Sequence, residues 1–149
     1  MFFKEKIYRK ELYRFIIEGI LGSVVFGSAL GAINFFLMGS FLDFFNIFTF
    51  IILYYFLVKR LYESFHFYHI TYSILAIFFL FLGDYFVTTI RIIMQTFQVT
   101  NYIWLGAFNP LYYFSSIISF SSVSGIIISS FNIFINVLIS YMVFMRMKR

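Results

Sequence analysis

The chain has 149 residues, 62% hydrophobic and 11% charged, with a mean hydropathy of +0.94. Soluble domains sit near ~25% charge, so this balance excludes folding alone in water, and it is the opposite of intrinsic disorder. There are no cysteines, which excludes a disulfide framework, thiolate metal sites, iron–sulfur clusters and a Cys nucleophile. The net charge of +5 is gathered at the two ends and beside one internal loop. That is a membrane-orientation pattern and not a phosphate-binding face, so no nucleic-acid partner is expected.

The expected architecture is all-α: a polytopic integral membrane protein with one domain over residues 1–149. Residues 3–14 carry Lys4, Lys6, Arg9, Lys10 and Arg14 among aromatic residues and predict a short interfacial helix. The first span is expected at about 15–38. It follows a basic segment and is too long for a cleavable signal. Gly39-Ser40 predicts a turn, and a second span follows at about 41–60. Lys59, Arg60, Glu63, His66 and His69 mark a polar boundary before a third span at about 70–92.

Residues 91–110 are too polar for a clean span and predict an amphipathic outer segment. Asp84, Thr88, Arg91, Gln95 and Gln98 are spaced four, three, four and three, on one helical face. Helix three is therefore expected to continue past the membrane surface to about Val99. Helix four is expected from Pro110, allowed in a first turn, to about Met145, with its span at 120–145. Helices three and four then project beyond the bilayer as an outer hairpin. The alternative is a re-entrant segment at 103–121. Tyr102, Trp104, Tyr112 and Tyr113 predict an outer aromatic belt. Four spans place both termini inside, with ten of the eleven basic residues on that face and only Arg91 outside.

Two stripes predict helix packing. Gly19, Ser23, Gly27 and Gly31 recur every four residues, a smooth groove that lets another backbone approach closely. Ser122, Gly125, Ser129, Asn132, Asn136 and Ser140 form a polar stripe on helix four, expected to bond to helix one or to a partner subunit.

Three ionisable residues are candidates for more than packing: Glu18, Asp84 and Arg91. An intramembrane carboxylate is a functional hypothesis by default. Four spans with an early Glu resemble the small multidrug exporters, where that carboxylate couples to protons. This chain is longer and lacks that family's Gly-rich third helix, so Glu18 is expected to snorkel or pair with Arg14. Asp84 is divided evenly between a buried structural partner and a proton or ligand site. Arg91 lies about 10 Å further along the helix, too far for direct contact within it.

His69 followed by Asp84-Tyr85 resembles the membrane-anchor subunits of succinate dehydrogenase. That resemblance implies His69 as a haem ligand and Tyr85 as a quinone contact, although the gap is longer here and Gly83 is out of place. Lys59-Arg60-Leu61-Tyr62 resembles the basic-aromatic loop ends of GtrA-like flippases. Glu63 and His66 match the E-x-x-H of di-iron bundles, but no second pair exists, so a solvated interfacial pair is expected. No nucleotide-binding or hydrolase motif is present.

Phe occurs 25 times and Leu 14, while Lys (five), Ala (four) and Pro (one) are scarce. The two apolar residues serve lipid contact equally, so the skew points to a T-rich coding strand, common in organelle genomes. The expected function is a non-catalytic accessory subunit of a larger respiratory-chain-type inner-membrane complex. Its partners would be other membrane subunits and lipids, with no cofactor or metal of its own. The expected location is the mitochondrial inner membrane, otherwise a bacterial cytoplasmic membrane. The alternatives are a four-span homo-oligomeric transporter, channel or lipid-carrier flippase, and a haem- or quinone-binding anchor.

Overall fold

A computed structural model of the chain describes residues 8–37, 45–66, 68–117 and 122–148. The described residues are helical with no strand. The helices are α1 (Arg9–Leu37), α2 (Phe45–Tyr62), α3 (Ile70–Thr100), α4 (Pro110–Ile117) and α5 (Val123–Met147), with a 3₁₀ turn at Leu105–Phe108 between α3 and α4. Among the described residues α1, α3 and α5 are each long and apolar enough to cross a membrane.

The segment expected as a separate interfacial helix is, from Arg9 onward, the first turns of α1; its earlier residues lie outside the described ones. Nothing in 9–15 breaks a helix, so the chain enters the apolar run without a kink. The Gly39-Ser40 turn also lies outside the described residues.

Chain direction follows from the contacts. Gly22 of α1 meets Leu57 of α2, and Glu18 meets Arg60, so those two helices are antiparallel. Gly19 meets Phe79, Gly27 meets Gly83 and Gly31 meets Val87, so α1 and α3 run parallel. The Ser73 hydroxyl donates to the Phe144 carbonyl at 3.3 Å, which brings the end of α5 to the start of α3. Arg146 lies over the Tyr54 ring, near the end of α2. The start of α1, the end of α2, the start of α3 and the end of α5 therefore share one end of the bundle. Arg9, Lys10, Arg14, Lys59, Arg60, Arg146 and Lys148 all collect there.

The glycine stripe faces α3. A Cβ built on Gly27 would lie 2.5 Å from the Gly83 carbonyl oxygen, and one on Gly31 would lie 2.6 Å from that of Val87. The backbones touch, which favours dispersion and Cα–H···O contacts where lipid provides no hydrophobic drive. Ser23 is wholly buried; its hydroxyl shares its proton between the Gly19 carbonyl at 2.7 Å and the Phe79 carbonyl at 2.8 Å.

Below this seam Phe15, Phe65, Tyr72 and Phe79 close the basic end, with Phe65 stacked on Tyr72 at 4.6 Å between centroids. His69 starts α3: its Nδ1 accepts from the Thr71 amide at 3.1 Å, satisfying one open helix donor.

The single helix expected from Pro110 to Met145 is two helices. Pro110 does open a helix, but that helix is α4, which ends at Ile117. The Ser122 hydroxyl accepts from the Gly125 amide at 3.0 Å and caps a new one, α5. The Ser115 hydroxyl donates to the Tyr112 carbonyl at 2.9 Å, another local side-chain bond beside the break. Among the described residues α5 packs mainly on α3 and α2, and less on α4; of the two partners expected for its polar stripe, helix one is not among these neighbours. Among the described residues of α5, Ile139, Val143 and Met147 join the core and Ile135 packs against it.

Candidate functional site at Asp84

The chain leaves α3 through Asn101, whose φ of 55° is the left-handed conformation that ends helices and that Asn tolerates. Its amide donates to the Phe97 carbonyl at 2.8 Å. Asn109 then accepts from the Leu111 amide at 3.1 Å and launches α4 with Pro110 in its first turn. Between these two turns the chain doubles back along α3. The Tyr85 hydroxyl donates to the Phe108 carbonyl, and the Tyr113 hydroxyl donates to Asp84 Oδ2 at 2.8 Å. Tyr85 and Tyr113 meet edge to face at 5.9 Å. From Asn101 back to Asp84 is about 25 Å of α3 at the helical rise, so α4 reaches far down the bundle.

This return corrects part of the aromatic belt. It packs on α3 at Asp84 and Tyr85, while Gln98 at the far end of the polar face is exposed. Tyr113 is buried at 6% exposure and serves as the donor to Asp84, whereas Tyr102 stays exposed at 70%. Only the chemistry of Asp84 itself marked this site in the sequence. The flanking Asn101 and Asn109-Pro110 turn signals could have located the return, but nothing local separates Tyr113 from Tyr112.

Asp84 Oδ1 accepts no hydrogen bond among the described residues, and no ion pair joins Asp84 to Arg91. Arg91 is part-buried on the same face of α3, and its charge acts on the carboxylate from a distance.

Glu18 belongs to a different place. Its Oε2 accepts from Arg60 Nε at 2.9 Å and its Oε1 from Arg14 Nε at 3.5 Å, so it ties α1 to α2 at the basic end. His66 pairs with Glu11, Nδ1 to Oε1 at 2.9 Å, instead of with Glu63. His69 is spent as a helix cap and lies fifteen residues, about 22 Å along α3, from Asp84. Among the described residues no three His, Asp or Glu side chains converge.

On α5, Ser129 is buried, while Gly125, Asn132, Asn136 and Ser140 are part-buried on the same inward face. The expected stripe therefore faces the bundle. The Asn132 and Asn136 amides have no side-chain partner among the described residues.

No protein-family model, curated protein or solved structure matches this chain.

Proposed function

We propose that the chain crosses the membrane four times, with its basic end inside, and serves as a non-catalytic subunit of a larger membrane assembly. α2, at 18 residues, supplies the fourth crossing. The observation that carries the role is where the polar side chains of the bundle spend their bonds. Ser23 bonds to the Phe79 carbonyl, Arg60 to Glu18, Ser73 to the Phe144 carbonyl and Tyr113 to Asp84. Each bond ties two elements together, and none prepares a reacting atom. The amides of Asn132 and Asn136 are the exception.

The skew of Phe over Leu, with few Lys, Ala and Pro, supports an organelle-encoded member of a respiratory-type inner-membrane complex. A second reading, a small homo-oligomeric cation or proton transporter, is favoured by an acid within α3 whose one hydrogen bond among the described residues comes from Tyr113.

The test is the native mass of the protein extracted in mild detergent, with mass-spectrometric identification of what co-migrates. A subunit of 17.8 kDa should run in a far larger particle containing several different chains. A clean homo-dimer or homo-tetramer overturns the subunit role and moves the transporter reading forward.

A further inference from the structure

α1 and α2 meet along one seam at three levels. Nearest the basic end, Arg60 Nε donates to Glu18 Oε2 at 2.9 Å. One turn further in, Leu57 fills the place that Gly22 leaves empty. A turn beyond, the Phe26 and Phe56 rings stack at 6.0 Å between centroids. The side of this seam towards the bundle is covered by α3, which Gly19 and Gly27 of α1 and Leu53 of α2 all meet. The side away from α3 carries exposed residues of both helices.

On that outer side, charge stands at one end and apolar surface runs inward from it. Arg14 and Arg60 are each 59% exposed and bracket the single Glu18 carboxylate. Two guanidinium charges against one carboxylate leave one positive charge in surplus. Both arginines engage Glu18 through Nε, and their other N–H groups meet no acceptor among the described residues. Leu21 and Val25 lie two and three turns on from Arg14 along the same face of α1, and both are exposed. Phe56, one turn from Arg60, is exposed beside them. From Arg14 to Val25 the helix rises about 16 Å, close to the ~15 Å hydrocarbon depth of one leaflet.

We infer that this side of the α1–α2 seam binds one anionic phospholipid of the bilayer. Its phosphate sits on Arg14 and Arg60, and an acyl chain follows Leu21, Val25 and Phe56. Guanidinium forks match phosphate oxygens in geometry as well as charge. Glu18 holds the two forks side by side, a positioning role. A free phosphate ion would leave the apolar track unused, so the occupant is a lipid. The site needs only that the basic end lies at a membrane surface, so it stands whether the chain works alone or inside an assembly.

The test uses the full chain in nanodiscs of equal parts phosphatidylcholine and phosphatidylglycerol. Native mass spectrometry then counts the lipids that stay bound on release. One surplus charge at the surface corresponds to roughly a fivefold preference for the anionic lipid. Arg14→Gln with Arg60→Gln should lose that preference. Leu21→Trp with Val25→Trp, which overfills the track and leaves every charge in place, should lose it too; this pair keeps the test decisive if the arginine variant does not fold. Arg9→Gln with Lys59→Gln removes as much charge from the same end but off the seam, and should keep it. Equal retention of the two lipids by the parent overturns the site. So does a preference that survives the arginine or tryptophan pair, or one that falls as far in the Arg9 and Lys59 pair, which would mean diffuse surface charge. Displacement of the lipid by excess inorganic phosphate overturns it in favour of a free-anion site.

Discussion

Replacing Gly27 with Ala should separate α1 from α3. The new Cβ would lie 2.5 Å from the Gly83 carbonyl oxygen and 2.9 Å from the Phe86 Cβ, where ordinary contact begins at 3.4 Å. The obstacle is backbone, so no rotamer relieves it, and the helices must part locally by about 0.9 Å, the shortfall between those distances. A gap of that size forfeits roughly a quarter to a half of each dispersion contact it opens. It also strains the 2.8 Å bond from Ser23 to the Phe79 carbonyl, one turn away. Overpacking typically costs about 1–3 kcal/mol, and a lost hydrogen bond about 1 kcal/mol more. The expected total is about 2–4 kcal/mol. Reversible unfolding in lipid–detergent mixtures, followed by steric trapping, measures it. Gly22→Ala clashes with the Leu57 Cδ1 atom, the mobile tip of a side chain, and touches the Phe26 ring at ordinary contact distance, so it should cost less. Ala29→Leu, on the exposed face of α1, should fall within about 0.5 kcal/mol of the parent. If Gly27→Ala is no worse than Ala29→Leu, the backbone seam is not what holds these helices.

Tyr113→Phe should cost about 1.5–3 kcal/mol at neutral pH by removing the donor to the Asp84 carboxylate. Reversible unfolding in the same lipid–detergent mixtures measures the loss, and a variant within about 0.5 kcal/mol of the parent would contradict the bond. Glu18→Gln should change stability by less than about 1 kcal/mol, because its partners Arg14 and Arg60 are 59% exposed. A salt series on the same assay should shrink that difference further, and a larger, salt-independent loss would mean the cluster is buried in a partner.

Helix periodicity carried much of the fold. The four apolar runs became α1, α2, α3 and α5, and the polar face of α3 extended its helix to Thr100. Gly19, Ser23, Gly27 and Gly31 stood out by spacing alone, but a smooth stripe does not name its partner. The partner is α3, because α1 and α3 run parallel and Gly83 gives α3 a matching shallow point opposite Gly27. At Asp84 the acid was visible and its donor was not. Tyr113 reaches it only through the backward path of residues 101–113, a long-range outcome that no local period encodes. The break between α4 and α5 was hidden for a different reason: six serines read equally well as a polar helical face or as competing caps, and Ser122 decides it with one bond to the Gly125 amide.

The subunit role presupposes a bundle that crosses the bilayer four times with its basic end on one side. The chain has no cysteine, so single-cysteine labelling has no background. Lys10→Cys, Tyr102→Cys and Lys148→Cys place one thiol each at exposed positions near the start of α1, beyond α3 and after α5. In sealed vesicles, a membrane-impermeant maleimide should reach positions 10 and 148 from the same side and position 102 only from the other. Labelling of 10 and 148 from opposite sides, or of 102 together with 10, would contradict the four-crossing bundle.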